Sequence, residues 1–519
     1  MGPTNMETMA AIDLGSNAIR LIIAQIMPNG EYFILEELEK PTDVGKDTFT
    51  LGKIRVETIQ NTCETLKGFS KLMKEYRVKN YRAVSTSGIR EAENKHYILD
   101  QVRLKTGIEV KDINNAEERF YIHKALDEHL TNGREIIFNK SAMIINVGSG
   151  GVEASVYSEG NLKFTRYVKV GALRLYEFLS QMKPKTLDFP DIISEYVDSK
   201  IYVLKDNIEK LNIKNYIGLG GDLSIISSMC IKNKYNKNPN FIPKDALLKL
   251  YDKIKNMNVE ILSLEYSIPL VKAELILPSL IIFIKFLNMT KAEGIFAPRA
   301  SLKHGVLVDM IDEKLNTPRK KEFLNDILSS VRYIASKYGV DENHAKVVEN
   351  LAITLFDSTV PIHKLGEREK LYLQISAILH DVGKYINLNN HEDYCFNIIK
   401  SEDIMGLSDR ELLVVANIAK YYGNRIPSSN DKKYNALNSN ERIIVSKLAA
   451  ILKLSEALDV SRRNKISKII ISMEEHRSIF INVYVKNDIL LEEWSFSSKS
   501  EFFEEVMGCK AILKIHRDF

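Results

Sequence analysis

Two short glycine loops carry the residue types that hold phosphate. Ile12-Asp13-Leu14-Gly15-Ser16-Asn17 and Ile145-Asn146-Val147-Gly148-Ser149-Gly150 align position for position, and each follows or closes an apolar run. A glycine loop directly after a strand lets backbone N–H groups approach an anion unobstructed, and a carboxylate at the strand end can hold Mg2+ against phosphate oxygens. Asp13 with Gly15, Ser16 and Asn17 fits that arrangement; Gly148, Ser149, Gly150 and Gly151 form the second cradle, with Asn146 in the place of Asp13. A third glycine run, Gly218-Leu219-Gly220-Gly221, ends another short apolar segment. One such loop is explained by a tight turn, whereas a matched pair plus a third points to phosphate. Further along, His344, His380-Asp381 followed by Gly383-Lys384, and the run Glu456 to Asp459 bring imidazoles and carboxylates onto separate helical segments, which is how a helical bundle builds a divalent metal site.

The elements that must position these loops repeat. Residues 9–14, 20–27 and 32–38 read as strands with a turn at Pro28-Asn29-Gly30. Residues 142–147, 152–157 and 162–170 read the same way, with a turn at Ser158-Glu159-Gly160. Each triplet is followed by a helical pattern and another strand: helix 56–76 to strand 82–86 in the first copy, helix 191–211 to strand 216–219 in the second. Segments 90–105 and 116–130 also have helical periodicity. The expectation is an α/β fold made of two copies of one unit around a cleft, with lobe I at 10–130 and lobe II at 131–316, its last helix returning to lobe I. A break at Asn316-Thr317-Pro318 opens an all-helical region, 319–464. A small α+β cap, 465–519, follows, with strands at 466–472 and 479–485 and a helix near 501–507.

Length and composition bound the rest. At 519 residues the chain has room for several cores, and 45% hydrophobic with 27% charged residues is the balance of a globular protein. Lys plus Arg exceeds Asp plus Glu by 72 to 68, a surplus of +4 that does not call for nucleic acid as a partner. Cys63, Cys230, Cys395 and Cys509 are widely spaced without a CxxC pair, which excludes a zinc knuckle or disulfide framework and fits a reducing cytoplasm. The first residues lack a signal-peptide layout, and the most apolar stretch, 278–289, is short and contains Lys285, so no membrane span is expected. Between 231 and 255 lysines 232, 234, 237, 244, 249, 253 and 255 face only Asp245 and Asp252; this is either a solvated face or a rim that guides anions.

Taken together, Ile12 to Asn17, Thr86-Ser87-Gly88-Ile89-Arg90-Glu91-Ala92-Glu93-Asn94, the Glu117-Glu118 pair, the second glycine loop and Gly171-Ala172-Leu173-Arg174 resemble the exopolyphosphatase and guanosine pentaphosphate phosphohydrolase family over residues 10–310. The resemblance implies the actin, sugar kinase and heat-shock chaperone superfold. It also implies Mg2+-dependent removal of terminal phosphate from inorganic polyphosphate, or alternatively of the 5′ terminal phosphate of guanosine pentaphosphate, by a protein of a kind that often dimerises. Glu118 occupies the place of the family's catalytic glutamate; a Glu-Glu pair on a helix is by itself more often a solvated face, so that role comes from the resemblance and not from spacing. Arg90 would supply a bidentate fork to the phosphoryl group, its plainer role being a helix-surface ion pair. Glu153 joins Asp13 and Asn146 in the implied metal environment. The chain departs from the family where Asn146 replaces an aspartate, where Asp222 stands for a threonine, where Arg119-Phe120 follows Glu118, and where Lys303-His304 replaces Arg-Glu. These changes leave room for a polyphosphate- or alarmone-binding regulator of weak turnover. The pattern of His344, His380-Asp381 and Glu456 or Asp459 resembles an HD domain, the metal-dependent phosphohydrolase fold, which implies a second divalent metal; His391 is a further neighbour.

Overall fold

The computed structural model describes residues 7–129, 141–159, 161–180, 188–220, 222–474 and 478–517. Two compact units divide at Asp326, within the helix Arg319–Lys337.

The first unit holds two mixed sheets. Strands β1 (Glu7–Leu14), β2 (Ala18–Ile26) and β3 (Tyr32–Pro41) form an antiparallel meander. Strands β4 (Asn80–Ser85) and β5 (Val110–Asp112) add in parallel on the other side of β1, giving the order β3-β2-β1-β4-β5. The second sheet repeats the plan: β6 (Ala142–Val147), β7 (Val152–Ser158) and β8 (Asn161–Val168) form the meander. Strands β9 (Asn215–Leu219) and β11 (Gly294–Phe296) take the places of β4 and β5, and β10 (Phe241–Pro243) adds an antiparallel edge. β1 and β6 are buried along nearly their whole length because both neighbours and helices on the faces cover them.

Helix Val56–Glu75 buries Ile59, Cys63, Leu66, Phe69 and Met73 against the first sheet, at the spacing of one helical face. Helix Leu302–Leu315 follows the second sheet in the chain but packs on β1 and on helix Asn115–His129 of the first. A buried ammonium sits at that helix pair: Lys124 Nζ lies 2.6 Å from Asp309 and 2.9 Å from Asp312. Asp309 also pairs with Arg82 at 2.6 Å and Asp312 with Arg319 at 3.1 Å, so Lys124 is the buried centre of an ion network that ties the two helices together.

The second unit begins with helices Glu342–His363, Glu367–Leu379, His391–Ser401, Asp409–Lys420 and Ser439–Ala457 packed on one another. It ends in a sheet of order β12-β13-β14, with β12 (Ile466–Glu474), β13 (Ser478–Val485) and β14 (Lys510–Arg517), and helix Leu490–Met507 packs on β14. Among the described residues no helix is long and apolar enough to cross a membrane. The four cysteines are free and buried.

Candidate active site

In the first loop, β1 ends at Leu14 and the Gly15 N–H donates to Ala18 O at 3.1 Å, which turns the chain into β2. Ser16 is wedged against the short helix Ser87–Arg90: its Oγ shares a hydrogen bond with Ser87 Oγ at 3.1 Å, and a Cβ on Gly88 would lie 2.9 Å from Ser16 Cα. In the second loop the Gly148 N–H donates to Gly151 O at 2.9 Å. A Cβ on Gly150 would lie 2.7 Å from Ser87 Cβ and 3.0 Å from Phe49 Cζ, so both loops close on the same serine from opposite sheets. Gly220 has φ +127° and abuts Val147 O, which brings the third run to the end of β6; Gly221 lies outside the described residues.

Arg174 holds the second loop in place. The N–H groups of Ala172 and Arg174 donate to Gly148 O and Ser149 O, at 3.1 and 3.0 Å, while Arg174 Nε donates to Gly150 O at 2.7 Å. With its carbonyls so occupied and the Gly148 N–H spent on Gly151 O, the loop is left the N–H groups of Ser149 and Gly150 for an anion. The same guanidinium pairs with Glu91 at 2.7 Å and lies 4.2 Å from the Phe49 ring centroid, joining the two lobes. In the sequence Arg174 stands out only as part of the motif Gly171-Ala172-Leu173-Arg174. Its role depends on a carbonyl far back in the chain and has no local signature.

Matching rows of side chains cross the duplicated meanders. In the first sheet Asp13, Arg20 and Glu39 are register partners; in the second, Asn146, Glu153 and Tyr167 are. Arg20 Nη1 donates to Asp13 Oδ2 at 3.2 Å and its Nε to Glu39 at 3.1 Å. Arg20 is not among the residues expected from the sequence; its signal there is a lone arginine inside the apolar run Ile19-Arg20-Leu21-Ile22. Asp13 is buried, its Oδ1 has no hydrogen-bond partner, and burial raises its pKa against the pull of Arg20. Glu153 is also buried, with Arg119 Nη2 at 3.5 Å; Arg119 Nη1 donates to Thr165 Oγ1 at 2.8 Å. Asn146 is half-buried beside it.

Backbone capping separates the glutamate pair. Glu117 accepts from the Asn114 N–H at 3.1 Å and pairs with Lys111 at 2.7 Å, so it caps the helix. Glu118, one-fifth exposed, instead faces Arg90, with Nη1 3.6 Å from Oε2. Burial raises the Glu118 pKa, Arg90 opposes that rise, and the charge of Asp13 adds to it. Arg90 is further held by the Ile113 carbonyl, at 2.5 Å, and by Asn115 Oδ1. The Tyr167 hydroxyl, buried and without a hydrogen-bond partner, has its pKa raised by burial and then by Glu118. Asp222 is not a bare charge near the loops: it accepts from Ser279 at 2.9 Å, and burial raises its pKa. Of the lysines between 231 and 255, Lys253 pairs with Glu265 and Lys255 with Asp252, which is the solvated-face arrangement for those two.

The second unit gathers its own cluster. Atoms of His344, His380 and Asp381 able to bind a metal lie within 4.8 Å of one another, and all three residues are buried. His380 Nδ1 donates to Ala377 O at 2.7 Å and His344 Nδ1 to Asp459 Oδ2 at 2.8 Å. Each Nε2 is therefore the lone-pair nitrogen, and both are buried without a hydrogen-bond partner. Burial lowers the His380 pKa, keeping the ring in the neutral form a cation requires. Asp381 accepts from Tyr422 and Lys384, each at 2.8 Å, and from Arg462; against burial, the Lys384 and Arg462 charges hold it well below the usual carboxylate range. Of the two acids left open by the sequence, Asp459 joins the cluster through His344 and Glu456 pairs with Lys499. His391 reaches it through the Tyr422 hydroxyl, at 2.7 Å, which in turn donates to Asp381.

Comparison with known proteins agrees with this geometry. Residues 22–314 match the model of the Ppx/GppA phosphatase family, and residues 328–501 that of Ppx/GppA phosphatase, domain III. The chain is similar to the guanosine-5'-triphosphate,3'-diphosphate pyrophosphatases of Vibrio parahaemolyticus, at 20% identity, and of Photobacterium profundum, at 19%; each comparison spans 451 residues, 85% of this chain and 86% of the relative. A solved exopolyphosphatase from Cytophaga hutchinsonii superposes with a TM-score of 0.53 at 20% identity, over 59% of this chain and 98% of that one, so the two share a fold over that part.

Proposed function

The chain belongs to the Ppx/GppA phosphatase family, and from that premise we propose that it hydrolyses the terminal phosphoanhydride of inorganic polyphosphate, releasing orthophosphate. The alternative substrate is guanosine pentaphosphate, cleaved at its 5′ terminal phosphate; it presents the same terminal group to the same cradle. The observation that carries the reading is the convergence of both glycine loops on Ser87, with the Glu118 and Arg90 pair on the adjoining segment of lobe I.

Phosphoryl transfer needs positioning and charge stabilisation more than covalent chemistry. The N–H groups of the two loops would hold the non-bridging oxygens of the end phosphate. Glu118, made more basic by burial, would take a proton from a water as its oxygen bonds to phosphorus, and the bridging oxygen would leave with the shortened chain. Arg90 would then serve two roles, orienting Glu118 at rest and offering N–H donors to the charge that builds on the phosphoryl oxygens. The residues fit a divalent cation: Asp13 Oδ1 is a buried carboxylate oxygen with no hydrogen bond, and Asn146 offers a neutral carbonyl oxygen at the equivalent position of the second sheet. When bound, Mg2+ would neutralise phosphate charge at this point.

A second reading rests on the cluster in the C-terminal unit. We propose that this unit is of HD type and that His344, His380 and Asp381 hold a divalent metal, with Asp459 orienting His344; the unpartnered Nε2 atoms support it. Orthophosphate release, measured with Mg2+ and either long polyphosphate or guanosine pentaphosphate, tests both. Glu118→Gln should lower release by about 10²–10⁴-fold with little change in substrate binding. No release by the wild type from either substrate would refute the enzyme reading. Loss in His380→Ala alongside full activity in Glu118→Gln would move the chemistry to the C-terminal unit.

A further inference from the structure

The C-terminal sheet has one packed face and one open face. Along β13, Ile479, Ile481, Val483 and Val485 are buried while the residues between them are not, and Ile470 and Ile512 on the outward rows of the flanking strands are 41% and 36% exposed. Register places Lys468, Tyr484 and His516 in one outward row, Asn482 and Lys514 in the next, and Phe480 in the third. The rings are held ready. Tyr484 and His516 stack with centroids 4.9 Å apart at 19°, and His516 Nε2 hydrogen-bonds Asn482 Oδ1 at 3.1 Å. Lys514 Nζ lies 3.8 Å from the Phe480 centroid and Lys468 Nζ 5.5 Å from that of Tyr484.

The outward positions from 468 to 472 on β12, 480 to 484 on β13 and 512 to 516 on β14 include no Asp or Glu; the next outward row, at the end of the sheet, holds Glu474, Ser478 and Lys510. A face that alternates aromatic rings with ammonium groups and keeps its acid, Glu474, in the end row is complementary to a polyanion whose backbone carries flat bases. Every base has a face to stack, and each lysine stem can swing from a ring to a phosphate. The hold of an ammonium on an exposed ring is weak beside the stacking of a base, so the exchange favours the base. Polyphosphate would satisfy the lysines and leave the rings without a role. The small net charge of the whole chain, which argued against nucleic acid, averages over this face and does not report it.

We propose that this open face binds single-stranded nucleic acid, two or three bases stacking on Phe480, Tyr484 and His516 while Lys468 and Lys514 meet the flanking phosphates. Fluorescence anisotropy of a labelled single-stranded RNA of about ten nucleotides, titrated with the full chain at low and moderate salt, tests it. Binding should weaken as salt rises. Tyr484→Ala and Phe480→Ala should each weaken it by about 5- to 150-fold, and Tyr484→Phe should restore it. Lys514→Gln should flatten the salt dependence. Circular dichroism melting of each variant guards against misfolding, and the outward position of both rings leaves the packed face intact. The proposal is overturned if the wild type fails to bind at low salt, or if folded alanine variants bind as the wild type does. It is also overturned if long polyphosphate binds the face equally well and is indifferent to ring removal, because the face is then an anion patch.

Discussion

Gly150→Ala tests whether the two loops must meet. Gly150 has a backbone that any residue can adopt, so the added methyl acts by volume alone. That methyl would lie 2.7 Å from Ser87 Cβ, closer still to Ser87 Oγ, and 3.0 Å from Phe49 Cζ, where ordinary contacts begin at 3.4 Å. Relieving the overlap requires the second loop to retreat from Ser87 by about 1 Å, and a misplacement of that size costs on the order of 10²-fold in rate, or about 2.7 kcal/mol of barrier. The assay is orthophosphate release at saturating substrate, with thermal unfolding measured alongside. Gly68→Ala is the control: it sits in helix Val56–Glu75 with no neighbour within 4 Å of the added carbon, and it should stabilise by about 0.5–1 kcal/mol while leaving turnover unchanged. Adding Ser87→Gly to Gly150→Ala removes both serine atoms in the way and should recover part of the lost rate. Turnover of folded Gly150→Ala within about threefold of wild type would refute the shared cradle, as would a double variant no faster than the single one.

Asn146→Asp places a carboxylate at the position of the second sheet equivalent to Asp13, in register with Glu153, and should lower the Mg2+ concentration for half-maximal release by roughly tenfold; an unchanged requirement would remove Asn146 from the metal environment. His304, whose Nδ1 hydrogen-bonds Ser301 Oγ at 2.7 Å, has its pKa lowered by burial and by Lys303 to about 4. Its contribution is therefore complete above its unfolded value near 6.5 and is lost as pH falls toward 4, and His304→Gln should reduce the acid loss of stability by about 1–3 kcal/mol in chemical denaturation. In the C-terminal unit, a chelator should lower the melting temperature of the metal-loaded wild type and leave that of His380→Ala unmoved; equal shifts would place the ion elsewhere.

What was legible in the sequence is local, and what was not is pairing at a distance. The meanders stood out because glycine loops punctuate apolar runs at the same offsets twice, and the same repetition implied the cleft. Strands β5, β10 and β11 are too short to show a period of two, and the helix read at 90–105 is broken at Glu91–Asn94, where the Asn94 amide hydrogen-bonds the Ile54 backbone. Two adjacent glutamates are indistinguishable as letters; the Asn114 backbone, by claiming Glu117, releases Glu118 to Arg90. Glu456 and Asp459 are separated in the same way by Lys499, which no spacing rule ties to the first. Residue type thus nominated the chemistry in each case, and a contact from a remote segment chose the residue. It follows that substituting the chooser is as informative as substituting the chosen: Lys499→Ala would free Glu456 without touching His380 or Asp381, and a change in metal affinity on that substitution would show that the ligand set is decided by the ion pair rather than by the motif.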